Sequence, residues 1–286
     1  MVIPKEIKKI ISDLKKAGFE AYIVGGCVRD YLLSSEPKDW DVTTNAKPQE
    51  IQKVFPDSFY ENKFLTVTAR TGSKKESLKE VEITTYRLEA KYSDKRHPDE
   101  VRFAKTLEED LARRDFTVNA MALTEETRNK KQETRVVDLF DGQGDLKNKI
   151  IRTVGNPEER FSEDALRMLR AARLATTLGF NIEEKTAKAI KKNSIWLQAI
   201  SKERIRDEFL KIIMAGRAAD GVELLRELGL LKLIVPELEE NYGVGQNKHH
   251  IFDCYTHALK SLEYTAKKNF SMEVRLAALF HDIGKP

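Results

Sequence analysis

A glycine pair set between an apolar strand and a short helix, with two aspartates beyond it, limits this chain more than any other feature. The stretch reads AYIVGGCVRDYLLSSEPKDWDVTT, from Ala21 to Thr44. Ala21 to Val24 is short and apolar, which predicts a strand. Gly25 and Gly26 carry no Cβ, so backbone there can come close to a ligand. A helix predicted from Cys27 and Val28 opens at that pair. Its first N–H groups, with Arg29 close by, make a seat for a polyphosphate. Asp39 and Asp41 are two apart in a predicted strand and so project from one face. Two carboxylates held that close repel unless a cation sits between them, and hard oxygen ligands suit Mg²⁺. Taken singly, Gly-Gly is an ordinary turn and Asp-x-Asp an ordinary solvated edge. In this order they place a phosphate seat beside a metal seat.

The neighbouring segments fit around that core. MVIPKEIKKIISDLKKAG has Ile and Leu at helical spacing with Lys between, which predicts an amphipathic helix closed by Gly18. Its lysines invite a targeting-peptide reading, but an apolar core and a small-residue cleavage site are both lacking. Pro48 to Phe55 predicts a second helix. Phe64 to Arg70 and Val81 to Tyr86 alternate as half-buried antiparallel strands do, joined by the polar turn TGSKKES. In VEITTY, Glu82 and Thr84 share a face opposite Val81, Ile83 and Thr85. If that face looks toward Asp39 and Asp41, Glu82 is a third carboxylate of a metal site; otherwise it is a solvated side chain. Leu88 to Val101 is charged and broken by Pro98, and reads as a loop. Leu107 to Leu123 reads as one helix with Leu107, Leu111, Phe116 and Met121 toward the core. Arg113, Arg114 and Asp115 fall in its middle and Asn119 one turn on, either a solvated face or contacts to ribose and triphosphate.

Composition sets only outer bounds. The 286 residues suffice for two or three domains. A hydrophobic share of 41% is compatible with an ordinary globular chain, and 34% charged residues predict a hydrated, helix-rich surface. A formal charge of +4 is too small to define a nucleic-acid binder unless its basic residues cluster. No apolar run approaches the ~18 residues that span a bilayer. Cys27 and Cys254 lie far apart without further ligands at finger spacing, which points to a reducing compartment and hence the cytoplasm.

GGCVRD, DWD, VEITTYR, RRDFTVNAMA, DLFDGQGDLKNKIIRTVG and RFSEDALRMLRAARLA follow one another in this sequence. The opening order resembles the nucleotidyltransferase superfamily of DNA polymerase beta type. The full set, from Ala21 to about Leu210, resembles the ordered motifs of bacterial tRNA nucleotidyltransferases, which share their catalytic core with bacterial poly(A) polymerases. That resemblance implies an α+β fold. A catalytic head with a mixed, largely antiparallel sheet and helices on one side is expected over 1–140. A helical neck and body that binds nucleotide base and tRNA is expected over 141–235. Helical periodicity after about Phe140 agrees with this.

The implied activity is addition of CTP and ATP to the 3′ end of tRNA without a nucleic-acid template. The tRNA 3′-hydroxyl attacks the α-phosphate in line and pyrophosphate leaves. Asp39 and Asp41, with Glu82 less firmly, would hold two Mg²⁺ ions, while Gly25, Gly26 and Arg29 would seat the phosphates and Arg114, Asp115 and Asn119 the sugar. In SEDALRMLRAAR, helical spacing sets Asp164, Arg167, Arg170 and Arg173 along one side. Read from its residues alone, this is a salt-bridged amphipathic helix. The resemblance implies instead that Asp164 and Arg167 imitate a template base and that Arg170 and Arg173 contact nucleotide. Cytosine and adenine both offer an amine to an acceptor and a ring nitrogen to a donor, whereas G and U present the opposite edge. In SKERIRDEFLKII, Ser201 is an expected N-cap, with Glu203, Arg204 and Arg206 on a polar side that is either solvated or set against tRNA phosphate.

The chain departs from the family in carrying Leu65 where Gly is usual. A loop with Asp94, Arg96 and His97, which in the family helps the switch to ATP, looks full-length, so an enzyme adding only C is disfavoured. An A-adding enzyme or a poly(A) polymerase remains an alternative. Toward the end, His257 and the adjacent His281 and Asp282 resemble the start of an HD metal-dependent phosphohydrolase domain, able to ligate a divalent transition metal. Such a domain needs a further Asp beyond Pro286, so 236–286 is expected to be its truncated start. His249 and His250 read as surface or packing residues. An RNA-binding or HD phosphohydrolase fragment is the alternative of another class, and an acidic patch facing phosphates argues against a pure RNA binder.

Overall fold

The computed structural model describes residues 2–61, 66–90, 100–128, 131–245 and 251–285. Leu65, the loop with Asp94, Arg96 and His97, and His249 and His250 therefore lie outside the described residues. The chain forms two compact units, one from Met1–Lys91 and Asp99–Asn148, the other with its described residues in Lys149–Pro286.

The first unit is built on strands β1 (Ala21–Val24), β2 (Asp41–Thr44), β3 (Ser58–Glu61), β4 (Thr66–Arg70), β5 (Glu80–Thr85), β6 (Arg87–Ala90), β7 (Glu100–Phe103), β8 (Met121–Arg128) and β9 (Lys131–Asp138). Seven form one sheet in the order β3-β4-β5-β2-β1-β8-β9, and β6 and β7 form a separate ribbon. Only β2 and β5 run parallel in the large sheet; its other pairs are antiparallel. A parallel pair needs a long crossover. Residues 45–79 supply it, with the helix Pro48–Val54 and the β3–β4 hairpin.

The sheet's centre is threonine-rich, and burial forces those hydroxyls to find partners. Thr44 donates to the Glu20 carbonyl at 2.5 Å and Thr85 to the Ala46 carbonyl at 2.7 Å. The helix Lys5–Lys16 buries Ile7, Ile10, Ile11 and Leu14, as its spacing predicts. A further cluster joins Val24, Tyr86, Ala104, Leu107, Leu111 and Ala122, clamping the helix Leu107–Ala112 onto the sheet.

Two expectations are corrected. Leu107 to Leu123 is not one helix: the helix ends at Ala112, a 3-10 turn covers Thr117–Asn119, and β8 begins at Met121. Asp115 Oδ1 accepts the Phe116 N–H at 2.9 Å, turning the chain, and Phe116 is extended. Phe116, Val118, Ala120 and Met121 are then wholly buried, and β8 gains partners on both sides from β1 and β9. That burial outweighs helix propensity. The Leu88 to Val101 loop is also too long, since its ends belong to β6 and β7.

The second unit is helical apart from a two-residue parallel ladder between Ile150–Ile151 and Asn181–Ile182. The helices Leu166–Leu178, Lys202–Ile213 and Ala218–Glu227 pack together closely enough that a Cβ on Gly221 would sit 2.6 Å from Ile212 and 2.7 Å from Thr176. The helices Cys254–Lys267 and Met272–Phe280 continue this unit. Arg275, 3% exposed, donates to the carbonyls of Ile213 and Ala215, both at 3.0 Å. No helix among the described residues is long and apolar enough to cross a membrane.

Candidate active site

Strand register assembles the acidic centre. Val24 at the end of β1 pairs with Asp41 at the start of β2, and Asp41 pairs with Glu82 of β5. Paired residues point to the same face, so the Asp41 and Glu82 carboxylates project side by side. Asp39 lies not in the strand but in an exposed bend just before it, two residues after Pro37, while Trp40 between the aspartates is buried. The Asp39 charge nevertheless reaches both Asp41 and Glu82. Burial, then Asp39 and Glu82, push the Asp41 carboxyl up to about 7 against the pull of Arg114. Glu82 is raised too, by partial desolvation, Glu61 and Asp39. Asp41 and Glu82, both raised and both with Asp39 charge nearby, offer hard oxygens that a divalent cation would relieve, a donor chemistry that fits Mg²⁺.

The glycine pair closes the other side. Gly25 has φ +83°, and a Cβ there would meet Arg114 Nη1 and Asp41 Oδ2, both at 3.2 Å. Glycine is required by backbone angle and by crowding alike. Below it, Cys27 is buried and donates to the Val24 carbonyl at 3.0 Å. Burial and the Asp41 charge push its thiol up to about 12, so it is filler rather than a nucleophile. Arg29 is held between Asp30, at 2.7 Å, and Asn119, whose Oδ1 accepts at 2.7 Å. Asn119 in turn donates to Asp115 at 3.4 Å. One line of bonds thus joins the helix Gly26–Leu32 to the Thr117–Asn119 turn and aligns Arg29, Asn119 and Asp115.

Asp110 anchors the basic side, and the sequence reading missed it. It is 0% exposed and bonds Arg113 at 2.9 Å, Arg114 at 3.4 Å, the Thr43 hydroxyl at 3.3 Å and the Arg87 N–H at 3.3 Å. Burial alone would raise its carboxyl, but Arg113 and Arg114 hold it below the usual carboxylate range. Arg114 Nε is buried and meets no acceptor among the described residues. A guanidinium tied at one end, beside a glycine and a carboxylate, is suited to an arriving anion. The available signal was an acid three and four residues before two arginines in LEEDLARR.

The second unit holds the other expected pair. Asp164 is not helical: it caps the end of Pro157–Glu163 in extended backbone, φ −140° and ψ 107°, and the next helix starts at Leu166. Its Oδ1 accepts the Leu166 N–H at 3.0 Å and its Oδ2 an Arg204 N–H at 2.9 Å. Arg167, 8% exposed, pairs with Glu163 and donates to the Arg160 carbonyl at 3.3 Å. Arg173 pairs with Glu208 at 2.5 Å, and Arg170 is close enough to lower the Glu208 pKa further. Arg204, expected on a polar side with Glu203 and Arg206, is thus turned inward, while Arg206 is exposed beside Asp207.

Comparison with known proteins finds relatives for both units. Residues 21–152 match the family model described as the poly A polymerase head domain, and 179–242 match the one described as a probable RNA and SrmB-binding site of polymerase A. The CCA-adding enzyme of Lactobacillus helveticus is 50% identical over 204 residues, covering 71% of this chain and 48% of that protein. That of Ligilactobacillus salivarius is 45% identical over 237 residues, covering 80% and 55%. The crystal structure of the Bacillus stearothermophilus CCA-adding enzyme in complex with CTP superposes with a TM-score of 0.76 at 33% identity, over 99% of this chain and 64% of that one. The chain belongs to the CCA-adding enzyme and poly(A) polymerase family. It spans about half the length of the curated relatives it matches.

The part of this family member beyond the second matched region carries His257, His281 and Asp282. Each offers a potential ligand atom within 4.8 Å of the others. The two Nε2 atoms are 3.1 Å apart, and Asp282 Oδ2 lies 3.2 Å from His281 Nε2 and 2.6 Å from Lys285 Nζ. His257 comes from the helix Cys254–Lys267 and His281 caps Met272–Phe280, so the antiparallel pair brings them together.

Proposed function

We propose that this chain is a template-independent tRNA nucleotidyltransferase that adds CTP and ATP to the tRNA 3′ end, CCA addition, in the cytoplasm. Its domains would be a catalytic head over 1–140, a helical neck and body over 141–235, and the start of an HD-type segment over 236–286. What supports the reading is the register pair of Asp41 and Glu82, with Arg114 and Asp41 both crowding Gly25 and Asp39 near enough to shift the Asp41 carboxyl, in a chain whose relatives are named CCA-adding enzymes.

In this reading the tRNA 3′-oxygen forms a bond to the α-phosphorus as the bond to the bridging oxygen breaks, and pyrophosphate departs. Asp39 and Asp41, with Glu82, would hold two Mg²⁺ ions, which when bound acidify the hydroxyl and clamp the triphosphate. Gly25 and Gly26 leave room for the phosphate tail, and Arg29 supplies positive charge to it. Arg114 and Asp115 orient the ribose, with Asn119 supporting them. Asp164 and Arg167 select the base, and Arg170 and Arg173 support the nucleotide. His257, His281 and Asp282 form a separate candidate site for a divalent transition metal.

The test uses tRNA ending before, within and after the terminal CC, with labelled CTP or ATP. Incorporation of both in order is the expected result; ATP alone onto CC ends means an A-adding enzyme, and incorporation of neither sinks the reading. Asp164→Ala is expected to relax base choice by about tenfold or more, since an unmet buried hydrogen bond costs roughly 1–3 kcal/mol, while triphosphate affinity changes little. Equal losses for all four nucleotides would count against base selection at Asp164.

A further inference from the structure

The register that pairs Asp41 with Glu82 runs on toward the edge of the sheet. Glu82 pairs with Thr68 of β4, and Thr68 with Phe59 of β3, so the four side chains stand in one row on one face. The opposite face, with Val42, Ile83 and Val67, is wholly buried. Thr68 is short and buried, and in the next row Thr84 and Thr66, their hydroxyl oxygens 3.3 Å apart, continue a low floor. Phe59 stands at the end of that floor, 39% exposed. Two residues along β4 from Thr68, Arg70 reaches the same face and sets its guanidinium over the Phe59 ring, 5.8 Å from the centroid. Asp57 at 3.6 Å and Glu80 at 3.7 Å flank that guanidinium. Two strand spacings put the ring about 10 Å from Glu82.

In-line transfer puts the attacking and leaving oxygens on opposite sides of the phosphorus. The glycine pair follows Val24 on the β1 side of Asp41, so a triphosphate seated there leaves the Glu82 side for the attacking hydroxyl. We propose that Phe59 and Arg70 form the platform on which the base of the acceptor tRNA's 3′-terminal nucleotide stacks, bringing its hydroxyl in from the Glu82 side. The proposal rests on the reading of the acidic centre as a nucleotidyl-transfer site. An aromatic side chain on a strand and a guanidinium plane are both stacking surfaces for unpaired bases. Asp57, Glu61 and Glu80 around them repel phosphate, so this surface takes the base and not the backbone. Every base has a π-face, so a stack accepts the RNA end whichever base it carries. An enzyme whose acceptor end changes with each addition needs that tolerance.

The experiment compares Phe59→Ala, Phe59→Tyr and Arg70→Gln with the unaltered protein. Each receives tRNA lacking its CCA end, with either a normal or an abasic 3′-terminal nucleotide, and kcat and KM are measured for tRNA and for CTP. Phe59→Ala is expected to lower kcat/KM for normal tRNA about tenfold, with KM for CTP within about twofold. Arg70→Gln lowers it about threefold, and Phe59→Tyr keeps the activity of the unaltered protein. The abasic end costs the unaltered protein about tenfold but costs Phe59→Ala about twofold at most, because ring and base lose the same contact. Both tRNAs are compared within one protein, so a change in its stability does not imitate this pattern. An abasic end that costs Phe59→Ala as much as it costs the unaltered protein overturns the proposal. If Phe59→Ala extends normal tRNA as well as the unaltered protein does, the transfer reading stands and the platform alone falls. If the unaltered protein extends neither tRNA, the transfer reading falls and the platform falls with it.

Discussion

Asp41→Asn is expected to cut nucleotide incorporation by about 10³-fold or more while leaving the fold intact. Asp41 sits at the focus of the acidic centre, paired in register with Glu82 and 3.2 Å from where a Cβ on Gly25 would lie. A neutral amide ligates a divalent cation far more weakly than a carboxylate. Removing a ligand from a phosphoryl-transfer site sacrifices several kcal/mol of charge stabilisation, and each ~1.4 kcal/mol is a factor of ten in rate. Stability moves the other way. Burial and the charges of Asp39 and Glu82 already disfavour the ionised Asp41 carboxyl, so the amide relieves repulsion. At pH 8 without divalent ions, Tm of the variant is expected to equal or exceed that of the unaltered protein. Added Mg²⁺ should then raise Tm of the unaltered protein only, through preferential binding to the folded state. Activity retained within tenfold, or a fall in Tm that accounts for the loss, would remove Asp41 from the reaction.

The parts of this site legible in the sequence are those fixed by local rules. A strand, a glycine pair and a helix follow from composition over a few residues, and Gly25 takes the backbone angle that only glycine accepts easily. Alternation sets Glu82 opposite Val81 and Ile83, which are buried while it is not, but leaves open which way that face looks. The misses share one cause, the outweighing of local propensity by distant partners. RRDFTVNAMAL has enough helix formers to continue the preceding helix, yet Phe116, Val118 and Met121 are buried and Met121 onward pairs with strands on both sides. Asp164 falls at helical spacing from Arg167, yet its own carboxylate takes the Leu166 N–H and interrupts the helix there. Arg204 looked like one charge among several on a wet face, and only the packing of its helix shows that Asp164 lies opposite. Asp110 was passed over because a buried carboxylate cannot be told from an exposed one in a charged run.

Asp110→Ala is expected to destabilise the first unit by roughly 2–4 kcal/mol. Removing one partner of a buried ion pair leaves the remaining charge without compensation, at about 3–5 kcal/mol. Here Arg113 and Arg114 keep 15% and 17% of their side-chain surface exposed, which lowers the figure somewhat. The loss also unties the helix Leu107–Ala112 from Thr43 in the sheet and from the Arg87 N–H. Asp110→Asn keeps an acceptor for part of that set and should cost less. The pH dependence has a definite sign. The folded protein holds the Asp110 carboxyl below its ordinary value, so its contribution is complete above about pH 4, the value in an unfolded chain. It is lost as pH falls through the lower folded value. Urea unfolding at pH 7 should therefore show the full gap between the unaltered protein and Asp110→Asn, and at pH 3 a smaller one. A gap that stays constant with pH would mean that the hydrogen bonds of Asp110, and not its charge beside Arg113 and Arg114, hold the helix to the sheet.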